Sequence, residues 1–208
     1  MNSVRNSAKR VRCITGNLVR GMILVGVFAV FGSARGAEQS SVSPAEQERN
    51  MKLIQGDLSV ATNEVERFYA INSAAKNALQ AGNVQEAEAL ANELARLAPK
   101  YTNDWNYGNA IQDANQVLGR IALSKGDVAE ARKRLLASAE SKGSPQMNSF
   151  GPNMQLAKAL LEKGEKDVVL DYFQRCGKFW KMGEDRLAAW TASVKKGEIP
   201  EFGPNLNY

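Results

Sequence analysis

From Ser43 to Lys196 the apolar residues recur at spacings of three and four, and no stretch keeps up the strict alternation of a half-buried strand. The same region is rich in Ala, Leu, Glu, Lys and Gln, side chains that lose little rotamer freedom in a helix. The pattern predicts an all-α chain. Gly56-Asp57, Gly82-Asn83, Pro99, Lys142-Gly-Ser-Pro145, Gly151-Pro152, Gly164-Glu165, Gly197 and Pro200 interrupt it and divide it into segments of helix length. Ser43-Pro-Ala-Glu46 opens the first segment with a capping hydroxyl, a proline where no amide donor is needed, and a glutamate able to reach back to the cap.

Three of the breaks share their flanks. Ala-Ala-Lys-Asn-Ala-Leu-Gln-Ala-Gly82-Asn-Val-Gln-Glu-Ala87 aligns with Leu-Gly-Arg-Ile-Ala-Leu-Ser-Lys-Gly126-Asp-Val-Ala-Glu-Ala131 and with Leu-Ala-Lys-Ala-Leu-Leu-Glu-Lys-Gly164-Glu-Lys-Asp-Val-Val169, an internal repeat. Each glycine is expected to end a helix in the left-handed conformation, and Asn83, Asp127 or Glu165 to start the next. Ala75, Gly119 and Ala157, seven residues before each glycine, and Ala87 and Ala131, five after, stand where two helix backbones must approach.

These features resemble the tetratricopeptide repeat. Leu118-Gly119 before the turn, Gly126-Asp127 at it, Ala131 five residues on and Pro99 near a repeat end match that signature. The resemblance covers roughly residues 62 to 180 and implies an α-α superhelix of about three helical hairpins. Departures are the missing early Trp, Val169 in place of a small residue, and glycine spacings of 44 and 38 against a period of about 34 in that family. The surplus falls at 100–111 and 141–150, between copies, and lengthens helices or connecting loops. Residues 43–61 form an N-terminal helical segment. In 181–208, Leu187, Trp190 and Val194 share one face of a helix that would cap the stack. Asn148 to Asn153, continuing through Phe179-Trp180, also resembles a group of uncharacterised bacterial helical-repeat proteins, a likeness that brings no function with it.

The charge of the chain changes the functional picture once its start is considered. Arg5, Lys9, Arg10, Arg12 and Arg20 precede the apolar run Met22 to Phe31, and small residues follow in Gly32-Ser33-Ala34-Arg35-Gly36-Ala37. This is the layout of a signal peptide over 1–36, cut after Ala34 or, as favoured here, after Gly36; an uncleaved anchor is the alternative. With no twin-arginine pair before the apolar run, the general secretory route to a periplasmic or extracellular location is expected. Residues 37–42 read as a flexible mature N-terminus. Of 27 basic residues six lie in that leader, while all 22 acids follow it, so the mature chain carries 21 against 22, a net charge of minus one. The pI of about 9.2 therefore belongs to the leader, and no nucleic-acid partner and no stable membrane span after processing are expected.

Histidine is absent, and the two cysteines, Cys13 and Cys176, fall on opposite sides of the processing site. That leaves no Ser-His or Cys-His pair, no mature disulfide and no zinc set, so neither an enzyme nor a cofactor is expected. Asp167 with Asp171, or Glu184 with Asp185, could in principle supply an acid and a base, but nothing separates them from surface charge. Cys176 is expected to be a buried structural thiol.

The leading functional candidate is a row of cations six residues before each repeat glycine: Lys76, Arg120 and Lys158. In the tetratricopeptide family that position faces the concave groove, so the resemblance implies a cationic ladder with Leu79, Leu123 and Leu161 one turn further on and Asn72 and Gln116 alongside. Such a groove suits an extended peptide bearing acidic groups; the alternative is a set of ordinary solvated positions. Tyr101, Trp105 and Tyr107, between two copies, read as core filling more readily than as a binding platform. Phe173, Phe179, Trp180 and Trp190 read as C-terminal core, and Arg132-Lys133-Arg134 as a solvated helix face. The expected function is an exported adaptor that binds a polypeptide in its concave groove. The alternative is a structural subunit docking through its convex or C-terminal surface.

Overall fold

The computed structural model describes residues 43–207, and every regular element among them is helical. The signal peptide expected over 1–36 and the segment 37–42 lie outside the described residues. The α-helices are α1 (Pro44–Ile54), α2 (Glu64–Gln80), α3 (Val84–Leu97), α4 (Tyr107–Ser124), α5 (Val128–Ala137), α6 (Pro145–Phe150), α7 (Gln155–Leu161), α8 (Lys166–Cys176) and α9 (Glu184–Lys195). Single 3-10 turns at Leu58–Val60, Ala98–Tyr101, Lys181–Gly183 and Gly203–Leu206 fill several of the connections.

Local chemistry sets the ends. The Ser43 hydroxyl accepts from the Glu46 amide at 3.3 Å, Asn63 from Glu66 at 3.0 Å and Ser144 from Met147 at 3.0 Å, so α1, α2 and α6 each begin on a side-chain cap. Gly82, Gly126 and Gly164 take φ of 80°, 82° and 83°. At each, the glycine N–H bonds the carbonyl three residues back and the following N–H bonds the carbonyl five residues back, as in Asn83 to Ala78 at 2.9 Å, Asp127 to Ala122 at 2.9 Å and Glu165 to Leu160 at 3.0 Å. This paired closure satisfies carbonyls that would otherwise be orphaned at a helix end. The same closure recurs at Gly56 and Gly197.

Asn83, Asp127 and Glu165 each hold the position that starts the next helix, as expected, but they differ in what their side chains do. Of the residues following the three glycines, only Asp127 caps with its side chain, accepting from the Glu130 amide at 2.9 Å. Asn83 turns its carboxamide toward Glu86 at 3.4 Å, and Glu165 pairs with Arg132 at 3.5 Å. The backbone closure already fixes the turn, which frees both side chains for other partners.

Across these turns α2 packs on α3, α4 on α5, and α7 on α8. Ala75, Ala87, Ala131 and Ala157 are fully buried. A Cβ at Gly119 would come within 2.3 Å of Leu156 Cδ2 and 2.9 Å of Arg134 Cβ, so α4 meets α5 and α7 at backbone distance. Helix α4 also contacts α2, α3 and α6 and joins two apolar clusters. One cluster is built on Phe68, Ile71, Leu90, Leu94, Leu97, Val117 and Ile121, the other on Leu135, Met154, Leu156, Tyr172, Phe173, Trp180 and Trp190. Each fully buried leucine contributes about 1.5–3 kcal/mol relative to exposure.

The C-terminal region closes the second cluster. Leu187, Trp190 and Val194 of α9 are buried toward α8, and Trp190 meets Phe202 edge-on at 5.0 Å. Beyond α9 the chain returns to the α6–α7 connection, where Asn205 is fully buried. Its Nδ2 donates to the Phe150 and Pro152 carbonyls at 3.1 and 2.9 Å, and its own carbonyl accepts from the Met154 amide at 2.9 Å.

Candidate functional site

The two surplus segments between repeat copies take part in one feature, a cleft of about 600 Å³. Its floor comes from Tyr69, Asn72, Ser73 and Lys76 of α2 and from Asn109, Gln112 and Asp113 of α4, which stand at helical three- and four-residue spacing and so share a face on each helix. One wall is α1, through Asn50, Leu53 and Ile54; the rest is Trp105 and Asn106 from the α3–α4 connection and Gln146, Met147 and Phe150 from α6.

The α1 wall is held by polar clamps more than by core. Leu53 is its buried apolar residue. The Arg49 guanidinium donates to the Val60 carbonyl and the Thr62 hydroxyl, both at 3.1 Å, and pairs with the Glu66 carboxylate. Ser73 Oγ donates to the Ile54 carbonyl at 2.7 Å, and Asn77 Nδ2 to the Gln55 carbonyl at 2.9 Å. The Arg49 contact, with the Thr62 amide adding to it, holds the Glu66 carboxyl down at about 2, from an ordinary value of 4.5.

Along the floor the polar side chains hydrogen-bond in sequence. Ser144 Oγ donates to Asn109 Oδ1 at 2.5 Å, Asn109 Nδ2 to Asn106 Oδ1 at 3.1 Å, Asn106 Nδ2 to Asn72 Oδ1 at 3.0 Å, and Asn72 Nδ2 to Asp113 Oδ2 at 3.2 Å. Lys76 Nζ meets the same Asp113 oxygen at 3.0 Å. The series ends on the Asp113 carboxylate, whose side chain is 8% exposed, while Asn109 Nδ2 also donates to Gln146 Oε1 at 3.3 Å. Gln112 stands apart. Its Oε1 accepts from the Asn153 amide at 3.2 Å, which fixes the carboxamide orientation, and its buried Nε2 has no partner. A buried donor left unpaired costs about 1–3 kcal/mol.

Above the floor the walls set apolar side chains beside Asn50, Asn106 and Gln146. Tyr69 and Trp105 stack with centroids 5.5 Å apart and planes at 21°. The Tyr69 hydroxyl donates to Asp104 Oδ2 at 2.7 Å; burial, aided by that carboxylate, pushes the phenol up to about 12. Ile54, Trp105 and Phe150 are 63%, 50% and 67% exposed. Three of the large apolar side chains most open to water thus stand on the wall of one cleft, a concentration typical of a contact surface.

The eight groove residues expected from the repeat divide. Asn72 and Lys76 line the cleft; the other six do not. Gln116 is interior, its Nε2 donating to Ser138 Oγ at 3.2 Å and the Asn153 carbonyl at 3.3 Å while its Oε1 accepts from the Leu156 amide at 3.3 Å. Arg120 donates to Gln155 Oε1 at 2.7 Å, and burial lowers its pKa from the ordinary arginine value. Lys158 lies 4.0 Å from Glu162 on its own helix. Leu161 is buried, and Leu79 and Leu123 are half-buried against the core.

The core reading of the inserted aromatics is corrected in one member. Tyr101 stacks on buried Phe68 at 4.5 Å and Tyr107 packs on the same cluster, but Trp105 stands half in water on the cleft wall. Its support is Tyr69, which leaves its other face open. Phe173, Phe179, Trp180 and Trp190 are all buried. Arg132 and Arg134 are ion-paired to Glu165 and Glu130, and Lys133 is mostly exposed. Asp171 pairs with Arg175 at 3.0 Å. Cys176 is fully buried, and burial pushes its thiol far above the usual range.

Tyr69, Asn106, Gln112, Asp113 and Phe150 line the cleft without being among the expected groove residues. One signal was present: from Asn103 to Asn115 a carboxamide recurs at every third residue, through Asn106, Asn109 and Gln112. Three of the five, Asn106, Asn109 and Gln112, line the cleft. Among the described residues no three side chains form a metal-binding group, and no helix is long and apolar enough to cross a membrane. No family model, curated protein or solved structure matches the chain.

Proposed function

We propose that this chain is an exported adaptor of the tetratricopeptide-like type, binding a polypeptide on the face where α2 and α4 lie side by side. The observation that carries the reading is the cleft itself: about 600 Å³, with Ile54, Trp105 and Phe150 exposed around it. The first helices of two successive repeat copies supply its floor, the position at which the repeat resemblance puts a groove. A volume of that size accommodates a few side chains of an extended segment. The secretory leader read at 1–36 puts the adaptor outside the cytoplasm.

The functional surface in this reading is the cleft rather than the row of three cations, because Lys76 and Arg120 are engaged inside the protein. A photo-crosslinking side chain at position 150, compared with one at the exposed position 133 on α5, tests it. Adducts to a polypeptide from 150 but not from 133, lost on Trp105→Ala, are expected. Adducts from 133 alone would favour the subunit that docks through its convex surface.

A further inference from the structure

The content of the cleft specifies more than a polypeptide, and the inference that follows rests on the adaptor reading. Among the described residues one cation and one anion line it, Lys76 and Asp113, and they are joined to each other at 3.0 Å. An entering carboxylate would have to compete for Lys76 with an aspartate already desolvated beside it, so the site offers an acidic segment no free charge. Asn109, Asn106 and Asn72 are similarly occupied, each donating to the next polar side chain in the series. Among the buried polar atoms of the cleft one donor has no partner, the Gln112 Nε2, on a residue 3% exposed whose oxygen accepts from the Asn153 amide, while the carboxamides of Asn50 and Gln146 stand at the exposed rim. The same cleft is lined by Trp105, stacked on Tyr69, and by Ile54 and Phe150.

A buried unpaired donor in a charge-balanced cleft with apolar side chains on its walls matches a carbonyl oxygen flanked by uncharged apolar groups. A polypeptide main chain presents that combination wherever its neighbouring side chains are aliphatic or aromatic. We propose that the cleft selects an uncharged, apolar stretch of its polypeptide, with one main-chain carbonyl accepting from Gln112 Nε2 and an adjacent side chain lying on Trp105.

The test uses two peptides blocked at both ends, one with the sequence glycine-leucine-phenylalanine-leucine-glycine, the other with glutamate replacing both leucines. Binding is followed by calorimetry. The neutral peptide is expected to bind at least about tenfold more tightly, a gap of about 1.4 kcal/mol. Gln112→Met removes the donor, and weakening of about three- to tenfold is expected, the size of one hydrogen bond. Because Gln112 also holds the Asn153 amide, a thermal melt accompanies that variant. Trp105→Ala, at an exposed position, supplies a second reading that does not depend on the interior, with a loss of about tenfold or more expected. Equal or tighter binding of the glutamate peptide overturns the inference, as does unchanged affinity in a folded Gln112→Met protein. If position 150 still crosslinks to a polypeptide in that case, the adaptor reading survives. If it crosslinks to none, both fall.

Discussion

Lys76 on α2 and Asp113 on α4 are joined at 3.0 Å across the floor of the cleft, and the Asp113 side chain is 8% exposed while that of Lys76 is 25% exposed. The pair ties the first helices of two successive helix pairs together beneath the cleft. Removing the cation leaves a desolvated carboxylate with one remaining donor, Asn72 Nδ2. Lys76→Met is therefore expected to lower the unfolding free energy by roughly 1–3 kcal/mol, below the 3–5 of a fully buried pair because Lys76 keeps contact with water. Combining it with Asp113→Leu is expected to recover part of that loss, read as a coupling energy in a urea-denaturation cycle.

The repeat glycines separate by what surrounds them. A Cβ at Gly82 meets nothing within 4 Å, so only its φ of 80° demands glycine. Gly82→Ala is expected to cost about 1 kcal/mol, and Gly82→Asn less, since asparagine tolerates the left-handed region. At Gly56 the added carbon would lie 2.4 Å from the Ala74 amide nitrogen. Gly56→Asn is expected to be worse than Gly82→Asn by at least about 1 kcal/mol, compared by denaturation midpoint, because the α1–α2 connection must move off α2.

Acid is expected to loosen α1 before the rest of the fold. Glu66 has a folded pKa of about 2 against an ordinary 4.5, with Arg49 as the first cause. A lowered carboxylate pKa gives a stabilising contribution present in full above the unfolded value and lost as pH falls from about 4.5 toward 2. Hydrogen exchange at α1 amides is expected to accelerate through that window. In Glu66→Gln the acceleration is expected to be much weaker and the exchange faster already at neutral pH.

Cys176 is expected to ignore thiol reagents in the native protein. It is fully buried and its thiol is driven toward the neutral form, whereas reaction requires thiolate and access. In a Cys13→Ser chain, a chromogenic disulfide should label nothing at neutral pH and one thiol after unfolding in denaturant. Fast labelling of folded protein would show that α8 opens.

The turns were legible in the sequence because their chemistry is local. A glycine with positive φ and the hydrogen bonds around it involve residues at most five apart, and the small residues at fixed offsets from it report close helix approach directly. The cleft was not legible for the opposite reason. Tyr69 finds Asp104, Asn72 finds Asp113, and Gln112 finds Asn153, each pair separated by 35 to 41 residues. The cationic row shows the same limit. Lys76, Arg120 and Lys158 hold equivalent places in the repeat, yet one meets an aspartate, one a glutamine from α7 and one a glutamate on its own helix. Turn position constrains where a side chain begins; the neighbour that reaches it decides what it does.

Asn205 donates to the carbonyl of Phe150, the most exposed aromatic on the cleft wall. Residues 55 apart in sequence are thereby fastened at the backbone, and Gln155 adds a bond to the Leu206 carbonyl at 2.6 Å. Asn205→Ala would unfasten the strap from the rim, raising the mobility of Phe150 and the entropic cost of ordering it around a guest. The turn at Gly203–Leu206 thus sets how stiff the mouth of the cleft is.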